Sequence, residues 1–264
     1  MTPSYAPPSS PPDATRAPSR RVTDAPTRMF HWLFALSFAG AYLTAESEHW
    51  RLLHVTLGYT LAGLLAFRVG YGLWGPRQMG LSLLWRKLGV APAWLKSLKA
   101  AWTAGDLRAV NWRQGQNMAV ALAVLLMLAL VLPVTLTGYG TFNDWGTALG
   151  EDWLEELHEF FSNVFLLVVL AHLAMMVTFS VMRRQNMAQP MLTGRVPGQG
   201  PSPVQHNRRW LAALLLLGVL GFGAWQWLDA HPSSRLSRGI ADPLAEPSPN
   251  LSRAHVRQHE RDGD

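Results

Sequence analysis

Residues 158–182 read HEFFSNVFLLVVLAHLAMMVTFSVM, and this stretch decides the fold. From Phe160 to Met182 it carries no Asp, Glu, Lys or Arg, although it contains a second histidine, His172. About 20 apolar residues in a helix cross the hydrocarbon core of a bilayer, where unpaired backbone groups are costly. The stretch therefore predicts a transmembrane helix with an ionisable side chain inside it.

Four further apolar runs predict four more spanning helices. These runs are Met29–Ala45, Leu52–Leu73, Met118–Thr137 and Trp210–Leu228. The third contains Pro133, which we expect to kink the helix. A cleaved signal peptide is the alternative for the first and shortest run. The long extension before that run and the His-Trp pair near its start argue against cleavage.

The composition narrows the chemistry that the chain can support. Of the 264 residues, 49% are hydrophobic and 15% are charged, against about 25% charged residues in a soluble domain. Without any Cys, the chain can hold no disulfide, no iron–sulfur cluster and no haem attached through C-x-x-C-H. The net charge of +6 comes from cations that flank the runs, so the predicted partner is membrane lipid and not nucleic acid.

Positive charges also predict the orientation in the membrane. They are concentrated before the first run, after the second run and after the fourth run, whereas the two remaining connections are acidic. Cytoplasmic loops carry an excess of Lys and Arg. The pattern therefore predicts a cytoplasmic N-terminus and a C-terminal tail outside.

The segments between and beyond the runs predict tails, a linker and an interfacial helix. Residues 1–20 are rich in Pro, Ser and Ala and predict a disordered cytoplasmic tail. Residues 195–209 are predicted as a cytoplasmic linker and residues 229–264 as an outer tail. Pro92–Trp102 places Trp and Leu on one helical face beside lysines, which favours a helix in the membrane interface. A docking surface for a partner protein is the alternative to lipid contact there.

Four of the nine histidines lie in or at the edge of the apolar runs: His31, His54, His158 and His172. Ionisable side chains inside a span are costly and usually functional. A single histidine of this kind could serve packing alone. Four of them in three runs indicate a binding constellation.

Spacing and orientation divide these histidines into two pairs. His158 and His172 are 14 residues apart, close to four helical turns, so they share a face and lie about 21 Å apart along the axis. With the N-terminus inside, His54 starts its span on the outer side, near His158. His31 starts its span on the inner side, towards His172. The depths of His31 and His172 match only if a helix tilts or extends beyond the membrane.

Two imidazoles presented by facing helices are typical axial ligands of haem iron. An apolar cleft between helices can accommodate the porphyrin ring. Zinc takes four protein ligands, or three and a water, and neither pair has a third histidine or a cysteine. We therefore predict two b-type haems, one held by His54 and His158 and the other by His31 and His172.

Other residues are candidates for contacts around the haems. Arg28 and Arg68 fall on the cytoplasmic side and could bind the propionates, since an arginine inside an apolar run needs an anionic partner. For Arg68 the alternative is a side chain that reaches the lipid headgroups. Gly40, Gly58 and Gly63 would let a porphyrin approach the backbone, or would serve close packing between helices.

These motifs, in this order, resemble those of the bacterial cytochrome b561 and nickel–iron hydrogenase b-type cytochrome family. The resemblance covers residues 21–194. Its parts are Val22-x-Asp24-x-x-x-Arg28-x-x-His31-Trp32, His54-x-x-x-Gly58-Tyr59 followed by Arg68, His158 with His172, and Pro190-Met191-Leu192-Thr193-Gly194. Thr23 and Tyr71 stand where Trp is expected, and neither is a proposed ligand.

The resemblance implies an all-α integral membrane protein of the bacterial inner membrane. Its four-helix transmembrane core would bind two b haems with the four histidines as axial ligands. The fifth transmembrane helix, predicted from its apolar run, and the outer tail lie beyond the resemblance. Such a protein passes electrons between membrane quinone and a redox partner protein, such as a cytochrome c, a hydrogenase or another oxidoreductase subunit. It is an electron-transfer subunit and not an enzyme with a substrate of its own.

Two other classes of function compete with electron transfer. A proton or metal-ion transporter could use the histidines as a relay, but it would need carboxylates beside them, and Glu159 is the only acid near a span interior. A purely structural membrane anchor would leave four matched histidines without a purpose.

Overall fold

A computed structural model describes residues 18–76, 80–145 and 153–230. The described chain is almost entirely helical, with one small two-stranded sheet. The strands are β1, Ser19–Arg21, and β2, Arg195–Pro197; the helices are α1 Ala25–Thr44, α2 Arg51–Trp74, α3 Leu81–Gly89, α4 Ala91–Ala104, α5 Trp112–Phe142, α6 Trp153–Arg183, α7 Gln189–Leu192 and α8 Arg209–Ala230.

Each predicted span corresponds to one long helix. Among the described residues, four helices are long and apolar enough to cross a membrane: α2 with the turn before it, α5, α6 and α8. The first predicted span is helix α1, which has 20 residues and does not belong to that set. Its first two turns contain Arg28 and His31, which lower its mean hydropathy. The helix predicted at Pro92–Trp102 lies within α4.

Local sequence signals explain where the helices begin and end. Asp24 caps α1 by accepting a hydrogen bond from the Thr27 N–H at 3.1 Å, and Pro26 follows in the first turn. Asn111 caps α5 in the same way, through the Gln114 N–H. Gly105 ends α4 with a φ of 70°, a left-handed conformation that glycine adopts without a steric cost.

The long helices pack in sequence order as antiparallel neighbours. α1 contacts α2, α2 contacts α5, and α5 contacts α6. Two apolar clusters lie between them, one around Leu64 and one around Phe165. Phe165 of α6 is fully buried and its ring centroid lies 4.4 Å from that of Phe38 in α1, so α6 also meets α1. The four helices therefore surround a common core.

Large apolar side chains cover the outer faces of these helices. On α6, Leu167, Leu170 and Leu173 are each more than half exposed, and Leu214 and Leu217 of α8 are equally exposed. A water-soluble fold would bury such side chains, whereas lipid tails solvate them. The helices form a multi-pass membrane protein.

The segment before α1 pairs with the segment after α6. β1 and β2 are antiparallel, with Arg20 opposite Val196, and the Gly194 carbonyl accepts hydrogen bonds from the N–H groups of Val22 and Thr23. We call residues 19–24 together with residues 189–208 the terminal cap. Residues 19 and 20, predicted as part of a disordered tail, therefore belong to β1, and the predicted linker contains β2. Strands of three residues are too short for an alternating sequence pattern.

The chain divides into two units, Met1–Leu220 and Gly221–Asp264. All the helix contacts described above belong to the first unit. The second unit is described only for residues 221–230, the last turns of α8. Most of the predicted outer tail and residues 1–17 of the predicted N-terminal tail lie outside the described residues.

Candidate haem-binding site

The four predicted ligands lie on three helices. His31 is on α1, His54 is on α2, and His158 and His172 are on α6. All four side chains are half-buried. By contrast, the two other histidines of the described residues, His49 and His206, are exposed. The half-buried histidines of the described residues are therefore the same four that lie in or at the edge of the apolar runs.

His54 and His158 face each other across α2 and α6. Their ring centroids are 6.1 Å apart and the ring planes are inclined at 79°. An imidazole nitrogen binds a metal at about 2 Å, so two rings on opposite sides of one metal atom have centroids separated by about 6 Å. The spacing of this pair leaves room for a single metal atom between the rings.

Hydrogen bonds set the tautomer of both rings. His54 donates from Nδ1 to the Ala41 carbonyl oxygen at 2.8 Å, and His158 donates from Nδ1 to the Val134 carbonyl oxygen at 3.0 Å. A carbonyl can only accept, so the proton of each neutral ring lies on Nδ1. The Nε2 lone pairs are then free to bind a metal. Metal-binding histidines are typically oriented in this way.

Gly138 of α5 provides the space for the His158 ring. A Cβ atom at this position would lie 2.8 Å from Cε1 and 3.0 Å from Nδ1 of His158, closer than atoms normally approach. Glycine therefore lets the imidazole reach the backbone of α5 and find the Val134 carbonyl. No local sequence signal distinguishes Gly138 as a site residue, because a glycine in a span usually serves helix packing.

His31 and His172 are the second predicted pair. Charged forms of the two rings would repel each other, which indicates that the rings lie near each other. In both rings Nδ1 is buried and has no hydrogen-bond partner among the described residues. Buried polar atoms nearly always have a hydrogen-bond partner. The two unpartnered ring nitrogens therefore indicate a site that is suited to a bound ligand.

The length of α6 explains how these two histidines meet. Its 31 residues extend about 46 Å, well beyond a hydrocarbon core of about 30 Å. His172 can therefore lie deep in α6 and still reach the level of His31, near the start of α1. Helix tilt or a helix that extends beyond the membrane could bring His31 and His172 to the same depth. The length of α6 supports the second explanation.

Phe165 separates the two pairs. It lies seven residues from His158 and seven from His172, on the same helix. Phe34 and Phe38 of α1 pack against it, with ring centroids at 6.1 Å and 4.4 Å. The two candidate sites are thus distinct levels of one bundle with an aromatic core between them.

The donor set fits haem better than a bare metal ion. Within the described ranges, no group of three or more His, Cys, Asp or Glu side chains is placed to hold a metal ion. Two imidazoles per site leave most coordination positions of a metal to be filled by something other than the protein, and a porphyrin supplies four nitrogens. The unpartnered nitrogens and the 6.1 Å spacing are thus consistent with a haem at each level.

Arg28 connects α1 to the terminal cap. It donates from Nη1 to the Leu192 carbonyl oxygen at 3.1 Å, and Trp32 donates from Nε1 to the Met191 carbonyl oxygen at 3.3 Å. The Arg28 Nε atom is buried and makes no hydrogen bond among the described residues. Two motifs that lie far apart in the chain therefore contact each other directly, one turn from His31.

Arg68 is attracted by an anionic side chain inside the protein. It is 8% exposed, and the carboxylate of Asp24, 0% exposed, attracts its guanidinium. Asp24 also accepts a hydrogen bond from the Tyr71 hydroxyl. Such burial does not fit the alternative of an arginine that reaches the headgroups. Asp24 was missed as a partner of Arg68, although Asp followed by Pro two residues later is a helix-start signal.

The three candidate glycines differ in their surroundings. A Cβ atom on Gly40 would lie 2.7 Å from Leu57, so Gly40 allows close packing between α1 and α2. A Cβ atom on Gly58 or Gly63 would meet nothing within 4 Å. Only the latter two leave open space beside the helix.

A family model matches most of the chain. Residues 22–194 match the model of the family described as prokaryotic cytochrome b561. This range covers about two-thirds of the chain and includes all four histidines and residues 22–24 and 189–194 of the terminal cap. No curated protein and no solved structure matches the chain.

Proposed function

The chain belongs to the prokaryotic cytochrome b561 family, and from this premise we propose that it relays electrons through two bis-histidine haems. Membership makes it a membrane b-type cytochrome, an electron-transfer protein. The proposal adds the number of haems, their ligands and the partners. The observation that carries it is the facing pair His54 and His158, with ring centroids 6.1 Å apart and both Nδ1 protons held by carbonyls.

The protein's own groups would hold and orient two haem b groups. His54 and His158 would bind one iron through Nε2, and His31 and His172 would bind the other. Each haem, when bound, supplies an iron that accepts and releases one electron. The carbonyls of Ala41 and Val134 keep the first pair in the ligating tautomer, and the aromatic core around Phe165 keeps water out between the two levels.

Arg28 and Arg68 are proposed as propionate contacts on the side of His31. The support differs between them. Arg28 has a buried Nε that lacks an acceptor, three residues before His31. The Asp24 carboxylate already offsets part of the Arg68 charge. Arg68 would therefore contact a propionate while it also interacts with Asp24.

The proposed partners follow from the family and the membrane setting. With haem as its only redox group, the protein needs neighbours that supply and remove electrons. We propose membrane quinone on one side and a redox partner protein on the other, either a cytochrome c or a subunit of a hydrogenase or another oxidoreductase. The proposed location is the bacterial inner membrane, with five spans, α1 and α8 included, and the N-terminus in the cytoplasm.

Haem stoichiometry in single and double variants tests the ligand pairs. The purified protein should contain two haems per chain with a low-spin spectrum, because two imidazoles fill both axial positions. His54→Ala, His158→Ala and their double variant should each retain one haem. His54→Ala combined with His172→Ala should retain none.

The exposed His49 provides the matched control. His49→Ala should keep both haems and an unchanged spectrum, since this side chain lies in a loop outside both pairs. A double variant of His54 and His158 that loses both haems would refute the pairing. Wild-type protein with no haem at all would refute the function.

A further inference from the structure

The connection between α2 and α5 contains a cleft that the haem sites do not use. It has a volume of about 270 Å³ and lies between the end of α3 and the first turns of α5. Two cations, Lys87 and Arg113, and three amide side chains, Asn111, Gln114 and Asn117, line it. No acidic side chain is among its lining residues. The chemistry of the cleft is that of an anion site.

The charge of the surrounding segment reinforces this character. Residues 80–117 carry six cations and a single acid, Asp106. The first turn of α5 contains no acidic residue, so the positive end of its dipole is not neutralised there. An anion in the cleft would therefore meet two side-chain charges and a favourable helix terminus.

Trp94 holds α4, which begins directly after the lining residue Val90, against the first turn of α5. It donates from Nε1 to the Asn111 carbonyl oxygen at 3.1 Å, and its ring packs so tightly on α5 that a Cβ atom on Gly115 would lie 2.5 Å from it. The Asn111 side chain in turn caps α5. This contact between α4 and α5 lies directly beside the cleft, and Asn111 belongs to both.

The cleft lies at the level of the membrane surface. The helices α3 and α4 connect two spanning helices, and they expose Trp85, Leu95 and Trp102 to 72%, 55% and 73%. Exposed tryptophans beside cations are typical of helices in the headgroup region. Val90 and Met118 give the cleft an apolar edge next to the hydrophobic length of α5.

We propose that this cleft binds the phosphate of an anionic phospholipid. Lys87 and Arg113 contact the headgroup, the three amides donate to its oxygens, and the acyl chains follow the apolar surface of α5. A zwitterionic lipid carries its own cation, which the two basic side chains repel. Basic pockets between helices at the membrane surface bind anionic headgroups in this way.

Native mass spectrometry of the haem-loaded protein in detergent tests the site. Titration with phosphatidylglycerol should give one saturable lipid adduct, and phosphatidylcholine should bind at least tenfold more weakly. Millimolar inorganic phosphate should not displace the adduct, because the acyl chains contribute to binding. Equal binding of the two lipids, or full displacement by inorganic phosphate, would overturn the proposal.

A charge-matched pair of variants separates a site from general surface attraction. Lys87→Gln with Arg113→Gln should weaken phosphatidylglycerol binding roughly 30-fold, which corresponds to ~1 kcal/mol for each cation near an anionic surface. Lys96→Gln with Lys99→Gln removes the same charge from α4, outside the cleft, and should weaken binding less than threefold. Equal losses in both variants would show that no specific site exists. All four side chains are exposed, so neither variant disturbs the core.

Discussion

At the scale of single residues, the chemistry of His54 and His158 depends on where two protons lie. A neutral imidazole has one protonated and one unprotonated nitrogen, and only the latter binds a metal. The carbonyls of Ala41 and Val134 hold the protons of His54 and His158 on Nδ1. Each neutral ring therefore presents an unprotonated Nε2 before any cofactor binds. No proton has to move from one ring nitrogen to the other.

Gly138 should be essential for this arrangement. In Gly138→Ala the new Cβ would lie 2.8 Å from His158 Cε1, so the ring must move away from the Val134 carbonyl. Overpacking of this kind costs about 1–3 kcal/mol, and haem affinity at this level should fall about tenfold. Haem titration followed by absorbance measures the effect. Gly218→Ala is the control, because a Cβ there meets nothing within 4 Å; similar losses in both variants would contradict this role.

The buried pair of Asp24 and Arg68 yields a second prediction. Asp24→Asn keeps a side chain that can cap α1 but removes the charge that balances Arg68. Loss of this attraction weakens the support of a buried cation, so we expect a lower thermal unfolding midpoint measured by circular dichroism. Tyr71→Phe removes one hydrogen bond and leaves the charge pair intact, which should cost about 1–2 kcal/mol.

A double-mutant cycle identifies the cause of that loss. If Asp24 acts through Arg68, the double variant with Arg68→Met should cost clearly less than the sum of the single variants. Additive losses would mean that the two side chains stabilise the protein independently.

At the scale of elements, the helices differ in what they can do alone. α5 and α6 are each 31 residues long and would span a bilayer without help. α1 has 20 residues and places an arginine and a histidine in its first two turns, so its stability in the membrane depends on partners. The terminal cap supplies them, since it binds Arg28 and Trp32 through backbone carbonyls.

Gly194 should control the attachment of the terminal cap. Its φ is +76°, and a Cβ atom would lie 2.8 Å from the Thr23 carbonyl oxygen. Gly194→Ala should therefore release residues 22–23 from the segment after α6 and free the paired backbone of β1 and β2 for cleavage by trypsin at its arginines. We expect cleavage there to be at least tenfold faster, as measured by mass spectrometry of the fragments.

A second glycine separates the clash from backbone strain. Gly198 also has a positive φ, +139°, but a Cβ there meets no atom within 4 Å. Gly198→Ala should accelerate cleavage several-fold less than Gly194→Ala, since only the strain of the left-handed conformation, about 1–3 kcal/mol, applies there and no clash is added. Equal sensitivity of both variants would mean that the terminal cap is not held at Gly194.

At the scale of the whole molecule, the order of the spans predicts which loops face which compartment. The absence of Cys makes this accessible to experiment, because a single introduced thiol is the only one in the protein. Glu46→Cys places it between α1 and α2, and Ser82→Cys places it on α3; both positions are exposed. In intact spheroplasts a membrane-impermeant maleimide should label only the first.

Lysed membranes provide the control for that labelling. After lysis both thiols should react to a similar extent, which shows that the buried or exposed state of the side chain is not the cause of the difference. Labelling of Ser82→Cys but not Glu46→Cys in spheroplasts would reverse the proposed orientation and place the N-terminus outside.

The sequence by itself determined the fold class, the family and the four histidines that stand apart from the rest. Long apolar runs and ionisable residues within them are local properties, and the physics of a bilayer acts on them almost independently of the surrounding structure. Helix periodicity also predicted that His158 and His172 share a face.

Only the tertiary structure decided which groups complete the site. Asp24 accepts a hydrogen bond from Tyr71 and attracts Arg68, Gly138 makes room for His158, and Gly194 holds the segment before α1. These partners are distant in the chain, and their contacts depend on how closely two backbones approach. That approach is set by the packing of whole helices, to which many side chains contribute, and no local pattern of residues encodes it.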